Sequence, residues 1–317
     1  MRTALALLLS LAAPLAAAQQ YPARDIRSIC NFAPGSGADI VVRFYSDRLS
    51  KLAGKPVIVE NKPGANGAIA TADLARSKPD GYSIMITPAS STIASAPYLF
   101  KSLPFDAQKD FTAVTTIASL SFVLLVDASK PIKTVDELIA HLRTRPKDGF
   151  YGTSNNTGVI AAELFKQAAG LKTTYAPYKA NTQALTDLLQ GTLDFLSYDA
   201  TWAAGQAQGG RVRVLAATAA KRSVAFPDVP TLGELGYGKN DVTPWWGVVV
   251  PAGTPKAVVD KLAGWFNQIT AEKDTQTFLA RAAFDPFPGS PEQMAELLKT
   301  DAARWKSYVE LAKIEPQ

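Results

Sequence analysis

The sequence predicts an α/β protein of two lobes with mainly parallel sheets. Three observations carry that prediction. Short apolar runs of strand length alternate with segments of helical spacing along most of the chain. The 317 residues, less an apolar leader, exceed what one hydrophobic core comfortably holds. Polar, glycine-containing loops recur where strand-like runs give way to helix-like ones, the usual place for a ligand in an open α/β sheet.

The elements follow in order. Residues 26–32 alternate like a strand. Residues 39–52 place Val41, Phe44, Tyr45, Leu49 and Leu52 at helical spacing, and Gly54 ends that helix. Residues 56–59 read as a strand. Residues 68–75 read as a helix, closed by the turn Lys78-Pro79-Asp80-Gly81, and 82–86 as a third strand. Residues 121–126 are apolar and β-rich. A helix over 134–143 opens with Thr134 and Glu137 as a capping box. Helices over 159–169 and 182–189 are stopped by Gly170 and Gly191, and 193–196 and 212–217 read as strands. The last clear strand, 245–250, contains Gly247, the mark of a bulge or a close backbone approach. Helices then cover 256–269, 275–283 and 291–311.

Arg2, the apolar run 4–15 and Ala16-Ala17-Ala18 have the form of an export signal. The expected organisation is a signal peptide over 1–18, a first lobe from 19–124 and 245–317, and a second lobe from 125–244. No later segment has the length of a membrane-spanning helix. The single cysteine, Cys30, excludes an intrachain disulfide and falls in an apolar run, as a buried thiol does. The net charge of +5 is dispersed, without the clustered stripe that nucleic-acid binding needs, and it suits a small anion.

Catalytic machinery is sparse. The only histidine, His141, lies on a helix face with no acid or serine arranged beside it in sequence. No His/Cys/Asp cluster has metal-ligand spacing. Pro34-Gly35-Ser36-Gly37 supplies Gly-x-Gly, but Ile40 stands where a dinucleotide fingerprint needs its third glycine. Asp194 and Asp199 flank one strand. Asp199, at its carboxyl end, is the better placed, for a ligand hydroxyl or ammonium or as a helix cap. The expectation is a monomeric binding protein, not an enzyme, with no cofactor and no metal.

Four loops occupy strand carboxyl ends: residues 34–39, 87–92, 153–158 and 198–202. They are rich in glycine, hydroxyls and amides, and none contains lysine or arginine. An anion held there would rest on backbone N–H groups, hydroxyls and helix dipoles. The second glycine loop, 60–67, is better suited to a tight strand-to-helix connection supporting the first. Of Trp245 and Trp246, adjacent on a strand, one packs inward while the other reaches the site, and Trp246 is counted with it. Phe32, Tyr98, Tyr198 and Trp202 carry the same ambiguity between core and site.

Several spaced motifs resemble one family. They are Phe32-Ala33-Pro34-Gly35-Ser36-Gly37-Ala38-Asp39, Glu60-Asn61-Lys62-Pro63-Gly64-Ala65-Asn66-Gly67, Lys78-Pro79-Asp80-Gly81-Tyr82, Tyr175-Ala176-Pro177-Tyr178-Lys179, Phe226-Pro227-Asp228-Val229-Pro230-Thr231 and Pro251-Ala252-Gly253-Thr254-Pro255. The mature chain resembles the substrate-binding proteins of tripartite tricarboxylate transporters, the Bug or TctC-like family. The resemblance implies a periplasmic, type II-like two-lobed binding protein with its ligand cleft between the lobes. It implies a carboxylate ligand and delivery to a two-component membrane transporter. Positional transfer implies Phe32, Gly35, Ser36, Gly37 and Asp39 in one lobe, with Ser90 and Ser91 beside them. Thr153, Ser154, Asn155, Asn156 and Asp199 would come from the other. The sequence departs from the family where Asn155-Asn156-Thr157-Gly158 replaces a glycine-rich loop and Val159 replaces a histidine, and again at Ala180-Asn181. These asparagines could grip a second carboxylate, and with the aromatics they suggest an aromatic dicarboxylate such as terephthalate. Two other readings stay open: an exported hydrolase using Ser36 or Ser154, and a ligand sensor for a signalling receptor.

Overall fold

The structure is a computed structural model that describes residues 21–238 and 242–316; the expected export signal lies outside the described residues. In chain order the elements are β1 (Ile26–Cys30), α1 (Gly37–Ala53), β2 (Val57–Asn61), α2 (Ala68–Ala75), β3 (Ser83–Thr87), α3 (Ala96–Leu99), β4 (Phe111–Ser119) and β5 (Phe122–Asp127). Then come α4 (Val135–Arg143), β6 (Phe150–Thr153), α5 (Asn156–Ala169), β7 (Thr174–Pro177), α6 (Asn181–Leu189), β8 (Phe195–Asp199), α7 (Ala200–Gln208) and β9 (Val212–Ala217). The chain continues with β10 (Trp245–Pro251), α8 (Lys256–Ala271), α9 (Lys273–Arg281), β11 (Asp285–Pro286) and α10 (Pro291–Ala312).

Two compact units form. Among the described residues, the first holds 21–117, Trp246–Glu272 and Phe287–Ala302; the second holds 118–238, 242–245, Lys273–Pro286 and 303–316. These boundaries differ from the sequence-based ones. Residues 118–124 belong to the second unit because β5 pairs there with β8 and β9. Residues 273–286 join it through Thr201 Oγ1, which donates to Ala282 O at 2.7 Å, and Val224 N, which donates to Asp285 Oδ1 at 2.8 Å.

In the first unit the strands run β4-β10-β3-β1-β2; β11 pairs with Ala118 and Ser119, the end of β4 that belongs to the second unit. β1 is parallel to both β2 (Ile26↔Val57) and β3 (Arg27↔Ser83), while β10 is antiparallel to β3 (Gly247↔Thr87). Helix α1 buries Val41, Val42, Tyr45 and Leu49, the helical stripe of the sequence. Its end at Gly54 takes a left-handed conformation (φ 64°) that a side chain would strain. A Cβ on Gly247 would stand 3.0 Å from Thr115 O and 2.6 Å from Met294 Cε, so this glycine marks a close approach.

In the second unit the order is β7-β6-β8-β5-β9. β6 is parallel to β7 and β8, and β5 is antiparallel to β8 and β9. Alternation along the strands divides the core. Leu124 and Phe195 pack with Leu142 and Phe165 in one cluster; Val123, Leu125, Leu196 and Tyr198 pack with Leu185 and Leu188 in another. Both sheets are therefore mixed. The expected parallel strands bear the loops of interest, and antiparallel strands complete each sheet.

Candidate functional site

In the first unit, β1 and β3 are parallel neighbours, so the loops that follow them emerge at the same end of the sheet. The loop after β1 is organised from within. Ser36 caps α1, its Oγ accepting from Asp39 N at 3.2 Å. Asp39, 1% exposed, accepts from Gly35 N and Arg43 Nε at 2.8 Å each and from Asn61 Nδ2 at 2.7 Å. Asn61 Nδ2 also donates to Phe32 O at 2.9 Å, and Asn61 Oδ1 accepts from Arg43 Nη2 at 2.7 Å. Burial pushes the Asp39 carboxyl upward, but the donors of Arg43, Asn61 and Gly35 overcome it and hold it at about 2. Behind this clamp lies Cys30 Sγ, 3.7 Å from Asp39 Oδ1; burial raises the thiol above its ordinary value.

Asp39 is thus engaged inside the loop, where it ties Gly35, Arg43 and Asn61 together. The N–H groups of Gly37 and Ala38, in the first turn of α1, have no partner among the described residues. They lie at the positive end of a 17-residue helix. Beyond β3, Ser90 is buried and Ser91 Oγ donates to Pro88 O at 3.2 Å. Residues 90–94 form one π-helical turn, a feature often found at binding sites. Phe32 is half-buried and stacks on Trp246 at 5.6 Å between centroids. Trp246 is itself only 5% exposed, so Phe32 is the ring with free surface.

The second unit repeats the device. β6 and β8 are parallel neighbours and present their loops together. Asn155 caps α5, its Oδ1 accepting from Gly158 N at 2.8 Å, and the N–H groups of Asn156 and Thr157 have no partner among the described residues. Ser154 Oγ donates to Asn181 Oδ1 at 2.5 Å. Thr153 Oγ1 and Ser197 Oγ are buried without a hydrogen-bond partner among the described residues. They pack under Gly158, where a Cβ would fall 2.1 Å from Thr153 Oγ1 and 2.6 Å from Ser197 O. Tyr198, fully buried, also has no well-formed hydrogen bond at its hydroxyl; its ring lies 4.6 Å from that of Trp202, and Ser154 is its polar neighbour.

Asp199 takes the second of its two expected roles. It caps α7, accepting from Trp202 N at 2.9 Å. Burial pushes its carboxyl up, and the N–H groups of Trp202 and Thr201 draw it back.

The predicted residues therefore gather by unit. Phe32, Gly35, Ser36, Gly37 and Asp39 form one loop, with Ser90 and Ser91 at the neighbouring strand end and Trp246 behind Phe32. Thr153, Ser154, Asn155, Asn156 and Asp199 gather at the ends of β6 and β8. The sequence reading missed Arg43 and the way Asn61 ties the second glycine loop to the first. The four-residue step from Asp39 to Arg43 on a helix was the available signal. It also left His141 without an acid, whereas Nε2 lies 2.9 Å from Asp194 Oδ1. Asp194 further accepts from Phe150 N at 2.8 Å and pairs with Arg145 at 3.2 Å. This group stands at the amino end of β8, away from the loops. Among the described residues no group of His, Cys, Asp and Glu could hold a metal ion, and no helix is long and apolar enough to cross a membrane.

Comparison with known proteins identifies the family. The family model "Tripartite tricarboxylate transporter family receptor" matches residues 41–314. A UPF0065 protein of Bordetella bronchiseptica is 34% identical over 312 residues, 98% of this chain and 92% of that relative. Rpa4515 of R. palustris, solved with adipate, superposes with a TM-score of 0.77 at 30% identity, covering 94% of this chain and 100% of that one. MatC of Rhodopseudomonas palustris, with bound malate, gives 0.71 at 26% identity, covering 91% and 100%. The chain belongs to the tripartite tricarboxylate transporter receptor family, a family of solute-binding proteins and not of enzymes.

Proposed function

We propose that this protein captures an organic dicarboxylate in the periplasm and delivers it to a two-component membrane transporter, with terephthalate as the ligand that its aromatic side chains suit best. One observation carries the reading. Each unit presents a capped helix N-terminus, with two N–H groups unpartnered among the described residues, at the carboxyl end of a parallel strand pair. The anchor of the first unit, Gly35 to Asp39 with Ser90 and Ser91 nearby, takes one carboxylate. The loop of the second unit, Thr153 to Asn156, is suited to a carboxylate in the same way. Hydrogen bonds to a charged group are worth about 1.5–3 kcal/mol each. A few of them suffice for micromolar capture, about −8 kcal/mol. Relatives solved with adipate and with malate, both dicarboxylates, support the substrate class. Phe32 and the Tyr198–Trp202 pair support an aromatic body.

Thermal unfolding with adipate, malate, terephthalate and matched monocarboxylates tests this. A dicarboxylate present at about a hundred times its Kd should stabilise by about 2.7 kcal/mol. If no acid in the panel raises the unfolding temperature at millimolar concentration, the reading fails.

A further inference from the structure

We infer that the Tyr198 hydroxyl is a specificity-determining donor for a carboxylate oxygen of the ligand, acting with Asn181 of the same unit. The inference rests on the carboxylate-capture reading above and names what the second unit selects.

Buried tyrosines in this protein find acceptors. Tyr21 donates to Gly81 O at 2.7 Å, Tyr151 to Glu163 at 2.7 Å and Tyr178 to Asp187 at 2.5 Å; Tyr45 pairs with Thr270 at 3.2 Å. Tyr198 is fully buried, yet its hydroxyl has no such acceptor among the described residues. A buried, unsatisfied hydroxyl lowers stability, and a phenylalanine would fill the same space without that cost. The ring is fixed by Trp202 on one side and by the cluster of Val123, Leu125 and Leu196 around it. The hydroxyl is therefore a rigid donor held in place before any ligand arrives. Burial pushes the phenol up to about 12, so it keeps its proton at physiological pH.

Its surroundings define the acceptor. Ser154, the polar neighbour of Tyr198, donates its proton to Asn181 Oδ1 at 2.5 Å. That bond orients the Asn181 amide and leaves its Nδ2 donor for another group. Tyr198 and Asn181 both neighbour Ser154, so the inferred acceptor is a carboxylate with one oxygen for each of their donors. A methyl or an unsubstituted ring edge in the same place would leave both unsatisfied. The chemistry favours a second carboxylate over an apolar end, an asymmetry that a binding site built on hydrogen bonds enforces strongly.

The test compares Tyr198→Phe with the wild type by calorimetric titration of adipate against hexanoate and terephthalate against benzoate, together with melting of the ligand-free proteins. The expected result is a loss of about tenfold or more for the dicarboxylate of a pair and about twofold or less for its monocarboxylate, with the ligand-free melting temperature unchanged or raised. Asn181→Ala, on the first turn of α6, should shift the same ratio in the same direction. Equal losses within each pair, or a lowered melting temperature with an unchanged ratio, would overturn the inference while leaving carboxylate capture intact. Wild-type protein that binds none of the four acids would overturn the capture reading and this inference with it.

Discussion

At the residue scale, the anchor contains a carboxylate of its own. Asp39 stands in the first turn of α1, beside the N–H groups proposed to hold a ligand carboxylate. Arg43 offsets that charge through its 2.8 Å contact while its side chain remains 49% exposed. Arg43→Gln should therefore weaken every carboxylate by about 1 kcal/mol, or roughly fivefold, the scale of a part-exposed ion pair. The double substitution Asp39→Asn with Arg43→Gln should recover part of the loss in a double-mutant cycle; additive losses would show that the two charges do not act as a pair. Asp39 also sets a pH dependence. Its folded value near 2 lies below the ordinary 3.8, so its contribution is fully present above about pH 4 and is lost as pH falls toward 2. A shift of that size corresponds to about 2 kcal/mol, and denaturant titrations between about pH 2 and 6 should show the slope flattened in Asp39→Asn.

At the element scale, the legible parts of the fold were those with local chemistry. Thr134, Gly54 and Gly170 mark helix ends where the structure has them, and the Thr134–Glu137 capping box is present as expected. The strand β4, threonine-rich and without clean alternation, gave no comparable signal, nor did β7 or the alanine-rich α7. The site was legible to the same extent. Its loops could be found from glycine, hydroxyl and amide content. The bonds that organise them could not, because Asn61 reaches Asp39 across 22 positions and Ser154 reaches Asn181 across 27. Asn155 shows how the two levels combine. Its cap on α5 makes Asn155→Ala cost about 1 kcal/mol of stability before any ligand is added. Asn155→Asp should keep the cap and the melting temperature while repelling the ligand, weakening dicarboxylates by about tenfold or more. Unchanged affinity in Asn155→Asp would remove that loop from the site.

At the scale of the whole molecule, neither unit is a continuous stretch of chain. β10 lies between β4 and β3 in the first unit's sheet, yet it enters only after the chain has built β5 to β9 of the second. The sequence reading began this return at residue 245; the first unit takes up the chain again at Trp246. It counted residues 118–124, 273–286 and 303–316 with the first lobe, whereas they fall in the second unit, where membership depends on pairing and on side-chain contacts with distant residues. A chain ending at residue 244 should fail to fold its first unit, lacking a central strand and α8 against α1. Loss of dispersed amide resonances from residues 26–117 would confirm this, and a native-like spectrum for them would refute it.

Cys30 gives the anchor a chemical reporter. It is the sole thiol of the chain, fully buried behind the Asp39 clamp, and a maleimide can reach it only when that loop opens. Its labelling rate in otherwise unmodified protein therefore measures how often the empty anchor comes apart, and a bound carboxylate should slow it.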